Sequence, residues 1–150
     1  MVLIILGSKS DIEAVSGCGE LLKKFGVPFR QEISSAHRQP EKTISLVKEA
    51  EASGIKVIIA AAGMAAHLPG VAASHTILPV IGVPLSGSAL SGMDSLYSIA
   101  QMPAGIPVAC VAIGPHGAKN AALLAIEILA LSDSNLREKL KDYRKEQASG

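Results

Sequence analysis

Residues 2–11 read Val2-Leu3-Ile4-Ile5-Leu6-Gly7-Ser8-Lys9-Ser10-Asp11. Five consecutive apolar residues without alternation are the pattern of a parallel strand covered on both faces. Gly7 ends the run, and the serines and the aspartate that follow are residues that cap a helix. Ile12, Val15, Cys18, Leu21, Leu22 and Phe25 then recur at helical spacing, which predicts a helix over residues 11–25 stopped by Gly26. A buried strand passing through a small polar turn into an amphipathic helix is the opening unit of a parallel α/β sheet.

The same alternation repeats along the chain. Strands are predicted at residues 29–33, 56–61, 79–83 and 107–113, the first of them the most polar. Pro40 opens a helix with Thr43, Val47 and Ala50 inward and Gly54 closing it. A short helix at 65–74 is interrupted early by Pro69-Gly70, and another follows at 94–101. Residues 118–131 are apolar nearly all round, so that helix must be buried on more than one side. The charged helix at 135–147 carries only a thin stripe of Leu136, Leu140 and Tyr143 and is expected to pack outside. Five strands alternating with helices give a three-layer αβα domain over residues 1–150. Crossover handedness favours the flavodoxin-like strand order 2-1-3-4-5.

Composition narrows the function classes. Hydrophobic residues make up 49% of the chain and charged ones 18%, more apolar material than one domain of this size needs, so an oligomer is expected. The net charge of +1, without a basic stripe, gives no footprint for nucleic acid or an anionic membrane. Cys18 and Cys110 lack metal-ligand or redox spacing and read as small core residues of a reducing compartment. The run at 2–6 is too short for a signal segment or a membrane span, so a cytoplasmic protein is expected.

In a sheet of this order, ligands bind at the carboxyl ends of the strands, where the order reverses. Each strand end carries an unusual segment, at residues 7–11, 34–38, 62–67, 86–94 and 114–117, and all five face one edge. The first suits a phosphate, through free N–H groups and the positive end of a helix dipole, with Asp11 capping the helix or holding ribose hydroxyls. Arg38 offers a planar fork for phosphate. His37 can give or take a proton near neutrality. His67 faces the pocket or satisfies a backbone group, while His75 follows a helix and His116 reads as a loop residue. Four histidines without paired spacing predict no metal. The glycine- and proline-rich segment at 86–107 is expected to be a fixed loop able to close over a ligand.

Taken together, these segments resemble the PurE family, the class I N5-carboxyaminoimidazole ribonucleotide mutases. The matching stretches are Gly-Ser-Lys-Ser-Asp at 7–11, Ser-Ala-His-Arg at 35–38, Ala-Ala-His-Leu-Pro-Gly at 65–70 and Leu-Pro-Val-Ile-Gly-Val-Pro at 78–84. They continue with Leu-Ser-Gly-Met-Asp-Ser-Leu-Tyr-Ser-Ile at 90–99, Gln-Met-Pro at 101–103 and Asn-Ala-Ala-Leu-Leu-Ala at 120–125. The resemblance implies purine biosynthesis, a homo-octamer with sites at subunit contacts, and His37 as general acid/base. It carries Ser8, Asp11 and Arg38 over as substrate-binding residues, with Ser10, Ser35, Gly63, Ala66, His67 and Leu68 lining the pocket. No metal or other cofactor is implied.

Two features depart from the family pattern. Where relatives commonly carry Gly-Ala-Gly-Gly-Ala-Ala-His, this chain reads Ala61-Ala62-Gly63-Met64-Ala65-Ala66-His67, which narrows the backbone approach there. The loop at 114–119 is also atypical.

Other readings are weaker. A receiver module would need an acid where the third strand ends in Ala60-Ala61-Ala62, and a flavin carrier would need aromatics beside these loops. Direct carboxylation of aminoimidazole ribonucleotide by carbon dioxide is the alternative within the enzyme class; the pattern around His67 favours the mutase.

Overall fold

The computed structural model describes residues 1–150. Strands β1 (Val2–Leu6), β2 (Phe29–Ile33), β3 (Val57–Gly63), β4 (Val80–Leu85) and β5 (Ala109–Cys110) form one parallel sheet in the order β2-β1-β3-β4-β5. Helices α1 (Ile12–Phe25), α2 (Pro40–Ala52), α3 (Leu68–Ala73), α4 (Met93–Ala100), α5 (Pro115–Ala130) and α6 (Ser134–Ser149) complete the chain. No helix is long and apolar enough to cross a membrane.

The side-chain period of two divides β1 between the two faces of the sheet. Val2, Ile4 and Leu6 join the core built with α1 and α5, whereas Leu3 and Ile5 join the core built with α2 and α3. All five are fully buried, which is why the run shows no alternation. Helix α5 lies between the sheet, α1 and α6, and its Ala118, Ala121, Ala122, Ala125 and Ile126 are fully buried. Small side chains let it sit close. A Cβ on Gly117 would overlap the carbonyl oxygen of Ala112, so only glycine fits that approach. Helix α6 packs outside through Leu136, Leu140 and Tyr143, the last set edge-on to Phe25 at 5.5 Å.

Helix ends follow their capping residues. Gly26 at φ 74° closes α1 in the left-handed region, and Lys139 of α6 donates to the freed carbonyl of Phe25 at 3.0 Å. The helix expected at 11–25 begins with a 3₁₀ turn, Lys9–Asp11, capped by Ser8, and Ile12 stands exposed instead of joining the inward stripe. Helix α5 starts earlier than expected, at Pro115, so His116 lies in its first turn and not in a loop. Helix α3 is shorter than the expected 65–74, because Pro69 belongs to its opening turn and does not interrupt it.

The largest departure is β5, two residues long where 107–113 was expected. Val111 and Gly114 donate to the carbonyls of Gly82 and Pro84 on β4, but Pro84 has no N–H to return. The ladder stops there, on the sheet's edge, where proline is tolerated. The same placement lets β4 run two residues beyond the expected 79–83.

Candidate active site

Four strand ends converge on one cavity of about 390 Å³, at the point where the strand order reverses. At the end of β1, Gly7 donates to the carbonyl of Ala61 at 3.0 Å, which ties this turn to β3. Ser8 then forms a reciprocal cap. Its hydroxyl accepts from Ser10 N at 3.4 Å, and its own N–H donates to Asp11 Oδ2 at 2.9 Å. Ser10 Oγ adds bonds to Ser8 Oγ at 3.0 Å and Asp11 Oδ1 at 3.3 Å. Partial burial pushes the Asp11 carboxyl above its ordinary value, against the bonds from Ser8 and Ser10 that favour the anion.

The second wall is the turn after β2. Ser34 N donates to Leu6 O at 2.9 Å, and the buried hydroxyls of Ser34 and Thr43 meet at 2.8 Å. Thr43 Oγ1 also reaches Gln39 O at 3.2 Å, while Ser35 Oγ accepts from Arg38 N at 3.2 Å and Ser35 O from Gln39 N at 2.8 Å. The turn carrying His37 and Arg38 is therefore held from below at both ends. Both of those side chains are exposed at the cavity, and Arg38 and Asp11 are its charged lining residues.

The third wall follows β3. Met64 has φ 57°, a left-handed conformation unusual for a long side chain and costing about 1–2 kcal/mol. Here the chain turns out of the sheet, His67 N bonds Ala65 O at 2.8 Å, and the imidazole comes to rest against His37. Nε2 of His37 and Nδ1 of His67 lie 2.7 Å apart, with ring centroids at 4.9 Å and planes at 80°. At this distance one nitrogen carries the proton and the other offers its lone pair.

The cavity brings together Ser8, Ser10, Asp11, Ser35, His37, Arg38, Gly63, His67 and Leu68, all expected at the site. Ala66 is the exception: it is 1% exposed and packs in the core on the α2 and α3 face, so its side chain does not line the cavity. Its alternation with exposed Ala65 and His67 turns it inward. Gly7, Ala36, Ala62, Met64, Ala65 and Gly87 also line the cavity, each from a strand-end segment expected at this edge, and Leu85 lines it from outside those segments. The glycines and alanines were legible only as members of the strand-end segments.

The fourth and fifth strand ends contribute less than expected. Only Leu85 and Gly87 reach the cavity from the β4 side, and the segment at 114–117 does not reach it. Strand β5 is at the far edge of the sheet from β1 and β2, which places its loop away from the switch point. Within the segment at 86–107, Ser88 donates to Asp94 at 2.8 Å, and Ser95 Oγ lies 2.8 Å from Leu85 O and 2.9 Å from Gly92 O. The later part of the segment turns towards α3, where Met102 packs against Gly70, and does not cover the cavity.

Fold and cavity together define a flavodoxin-like α/β protein with a paired-imidazole site at the switch point. The chain belongs to the AIR carboxylase family, whose model matches residues 1–150. It is 53% identical to the N5-carboxyaminoimidazole ribonucleotide mutase of Escherichia coli over 146 residues, 97% of this chain and 86% of that one. The Pyrococcus horikoshii protein of the same name is 55% identical, over 97% of this chain and 81% of the relative. Among solved structures, PurE of Treponema denticola superposes with a TM-score of 0.89 at 34% identity, covering 99% of this chain and 91% of the other.

Proposed function

We propose that the protein is an N5-carboxyaminoimidazole ribonucleotide mutase of purine biosynthesis, an isomerase that moves a carboxylate from the exocyclic amine to carbon four of the ring. The observation that carries the reading is the His37–His67 contact inside a cavity that also presents Arg38 and the Ser8–Asp11 turn. The relatives' names support the mutase over direct carboxylation by carbon dioxide.

The chemistry follows from those positions. Arg38 takes the phosphate through its guanidinium fork, with the hydroxyls of the Ser8–Ser10 turn beside it; the N–H groups of Ser8 and Ser10 are already bonded within the turn. Asp11 and Ser35 take ribose hydroxyls, while Gly63, His67 and Leu68 bound the ring. As the carbamate N–C bond breaks and frees carbon dioxide, His37 gives a proton to the amine nitrogen, which becomes the neutral amine. Carbon four then attacks the freed molecule, a carbon–carbon bond forms, and the ring proton passes to His37. Oriented proton transfer contributes roughly 10² to 10⁴ in rate, and confinement of the two fragments adds an effective-concentration gain. Each bond change balances without a metal, a nucleoside triphosphate or a redox cofactor.

Residues 1–150 act as a single mutase domain in this reading, in a cytoplasmic homo-octamer whose sites lie near subunit contacts. Exposed Leu90, Met93 and Tyr97 supply apolar surface for such contacts. The deciding experiment feeds the purified protein either the carbamate substrate or the unmodified ribonucleotide with bicarbonate. Fast conversion of the carbamate alone supports the mutase; conversion of the second mixture alone overturns it.

A further inference from the structure

The peptide unit between Ile33 and Ser34 is the last of β2 before the turn that carries His37 and Arg38. It is trans, so its N–H and its C=O point in opposite directions. The N–H of Ser34 points into the sheet, where Leu6 O accepts it at 2.9 Å. The carbonyl of Ile33 therefore points outward, over the open edge that β2 forms. No strand reaches it there. Lys42, in the first turn of α2, does. Its Nζ donates to Ile33 O at 2.7 Å, the length of a charge-assisted bond. One peptide is thus pinned from both sides. Thr43, the next residue of α2, holds the far end of the turn, where its N–H and its hydroxyl both donate to Gln39 O. A lysine beside an edge strand can serve to block pairing with other chains, but a short bond to this one carbonyl gives it a more specific task.

We infer that Lys42 is a positioning residue for His37, holding the turn after β2 at the height where the two imidazoles meet. The inference rests on the carboxylate transfer proposed above. Lys42 does not line the cavity, and its ammonium is taken up by the strand end. Without it the bond to Leu6 alone holds that peptide, and a planar unit held on one side can rock about the strand. His37 would feel the motion most. Its imidazole has a short reach, and it meets Nδ1 of His67 at 2.7 Å from the present position of the turn. Arg38 stands on the same turn with a longer and more flexible side chain, exposed at the cavity. It can follow a phosphate through a small displacement.

The test compares the full-length wild type with Lys42→Met, which keeps the stem and loses the ammonium, and Lys42→Arg, which keeps a charged donor. On the carbamate substrate, Lys42→Met should lose about tenfold in kcat, since a small misplacement of a reacting group slows the chemical step. Its KM should stay within about twofold of wild type, because the phosphate contact adapts. Lys42→Arg should recover most of the rate. The side chain is exposed, so both variants should melt with the wild type. Imidazole ¹⁵N NMR of the free protein reads the His37–His67 contact without substrate. Lys42→Met should shift both ring signals from their wild-type positions, and Lys42→Arg should not. Wild-type kcat in Lys42→Met overturns the inference. So does a raised KM at unchanged kcat, which would make the ammonium part of the phosphate grip, and so does a lost rate that tracks a lower melting temperature. A wild-type protein that leaves the carbamate unconverted overturns the proposed function instead. The ring signals then decide the positioning of His37 alone, and unchanged signals in Lys42→Met overturn it.

Discussion

His37 Nε2 lies 2.7 Å from Nδ1 of His67, and the two rings meet nearly perpendicular, at 80°. The contact joins residues thirty positions apart, from the turns after β2 and β3. It gives His37 a defined tautomer partner, the arrangement a proton-transfer residue needs to keep one orientation through the reaction.

His37→Asn should fold and bind the nucleotide normally while turnover falls by about 10² to 10⁴. His67→Asn should lower kcat less, because it removes the partner and leaves the imidazole that takes the proton. The double variant should be little worse than His37→Asn, since groups acting as one unit lose function together. Steady-state kinetics on the carbamate checks all three. Near-normal isomerisation by His37→Asn would remove His37 from the chemistry.

Arg38→Ala should weaken nucleotide binding by roughly tenfold to a hundredfold, the loss of a charge-assisted bond worth about 1.5–3 kcal/mol. The side chain is exposed and bonds nothing in the protein, so the melting temperature should not change. Arg38→Lys should recover part of the affinity, because an ammonium supplies charge without the planar fork. Calorimetric titration with the ribonucleotide, paired with thermal unfolding, separates binding from stability. Unchanged affinity in Arg38→Ala would rule out the phosphate grip.

The switch-point site could be read from the sequence because it depends on strand ends, and strand ends follow from runs such as Val2–Leu6. Strand order alone brings the polar segments after β1, β2 and β3 together. What the sequence withheld depended on finer geometry. The length of β5 turned on which side of β4 the missing N–H of Pro84 would face. The family resemblance puts Ala66 at the pocket, whereas a one-residue alternation buries its side chain. The bond between His37 and His67 depends on rotamers and on the left-handed turn at Met64, neither of which has a sequence signature.

Thr43→Val should destabilise the fold by about 1–3 kcal/mol, because it leaves the buried Ser34 hydroxyl without its partner. Valine fills nearly the same space, so the cost belongs to the hydroxyl and not to packing. The added substitution Ser34→Ala should restore part of the stability, since removing both polar groups leaves none unsatisfied. Denaturant unfolding of the two single variants and the double variant measures the coupling. Additive losses would show that the pair does not act as a unit beneath the His37 turn.

Cys18 gives the molecule an alkaline weakness that can be isolated. Burial pushes its thiol from the ordinary 9.0 up to about 12, because the thiolate would be stranded among apolar side chains of α1 and the sheet. The folded value is raised, so the stabilising contribution is fully present below the unfolded value of 9.0 and disappears as pH rises towards about 12. Over that window the unfolded chain releases a proton that the folded chain keeps, and stability falls by up to about 1.4 kcal/mol per pH unit. Cys18→Ala lacks this term. It should be less stable than wild type by about 1 kcal/mol near neutrality, from the lost sulfur contacts. By about pH 11 the order should reverse, since wild type has then lost on the order of 2–3 kcal/mol. The other alkaline groups are common to both proteins and cancel in the difference. Urea unfolding of the pair at matched pH values measures it, and parallel curves from neutral to alkaline pH would show that the thiol is not buried as the fold places it.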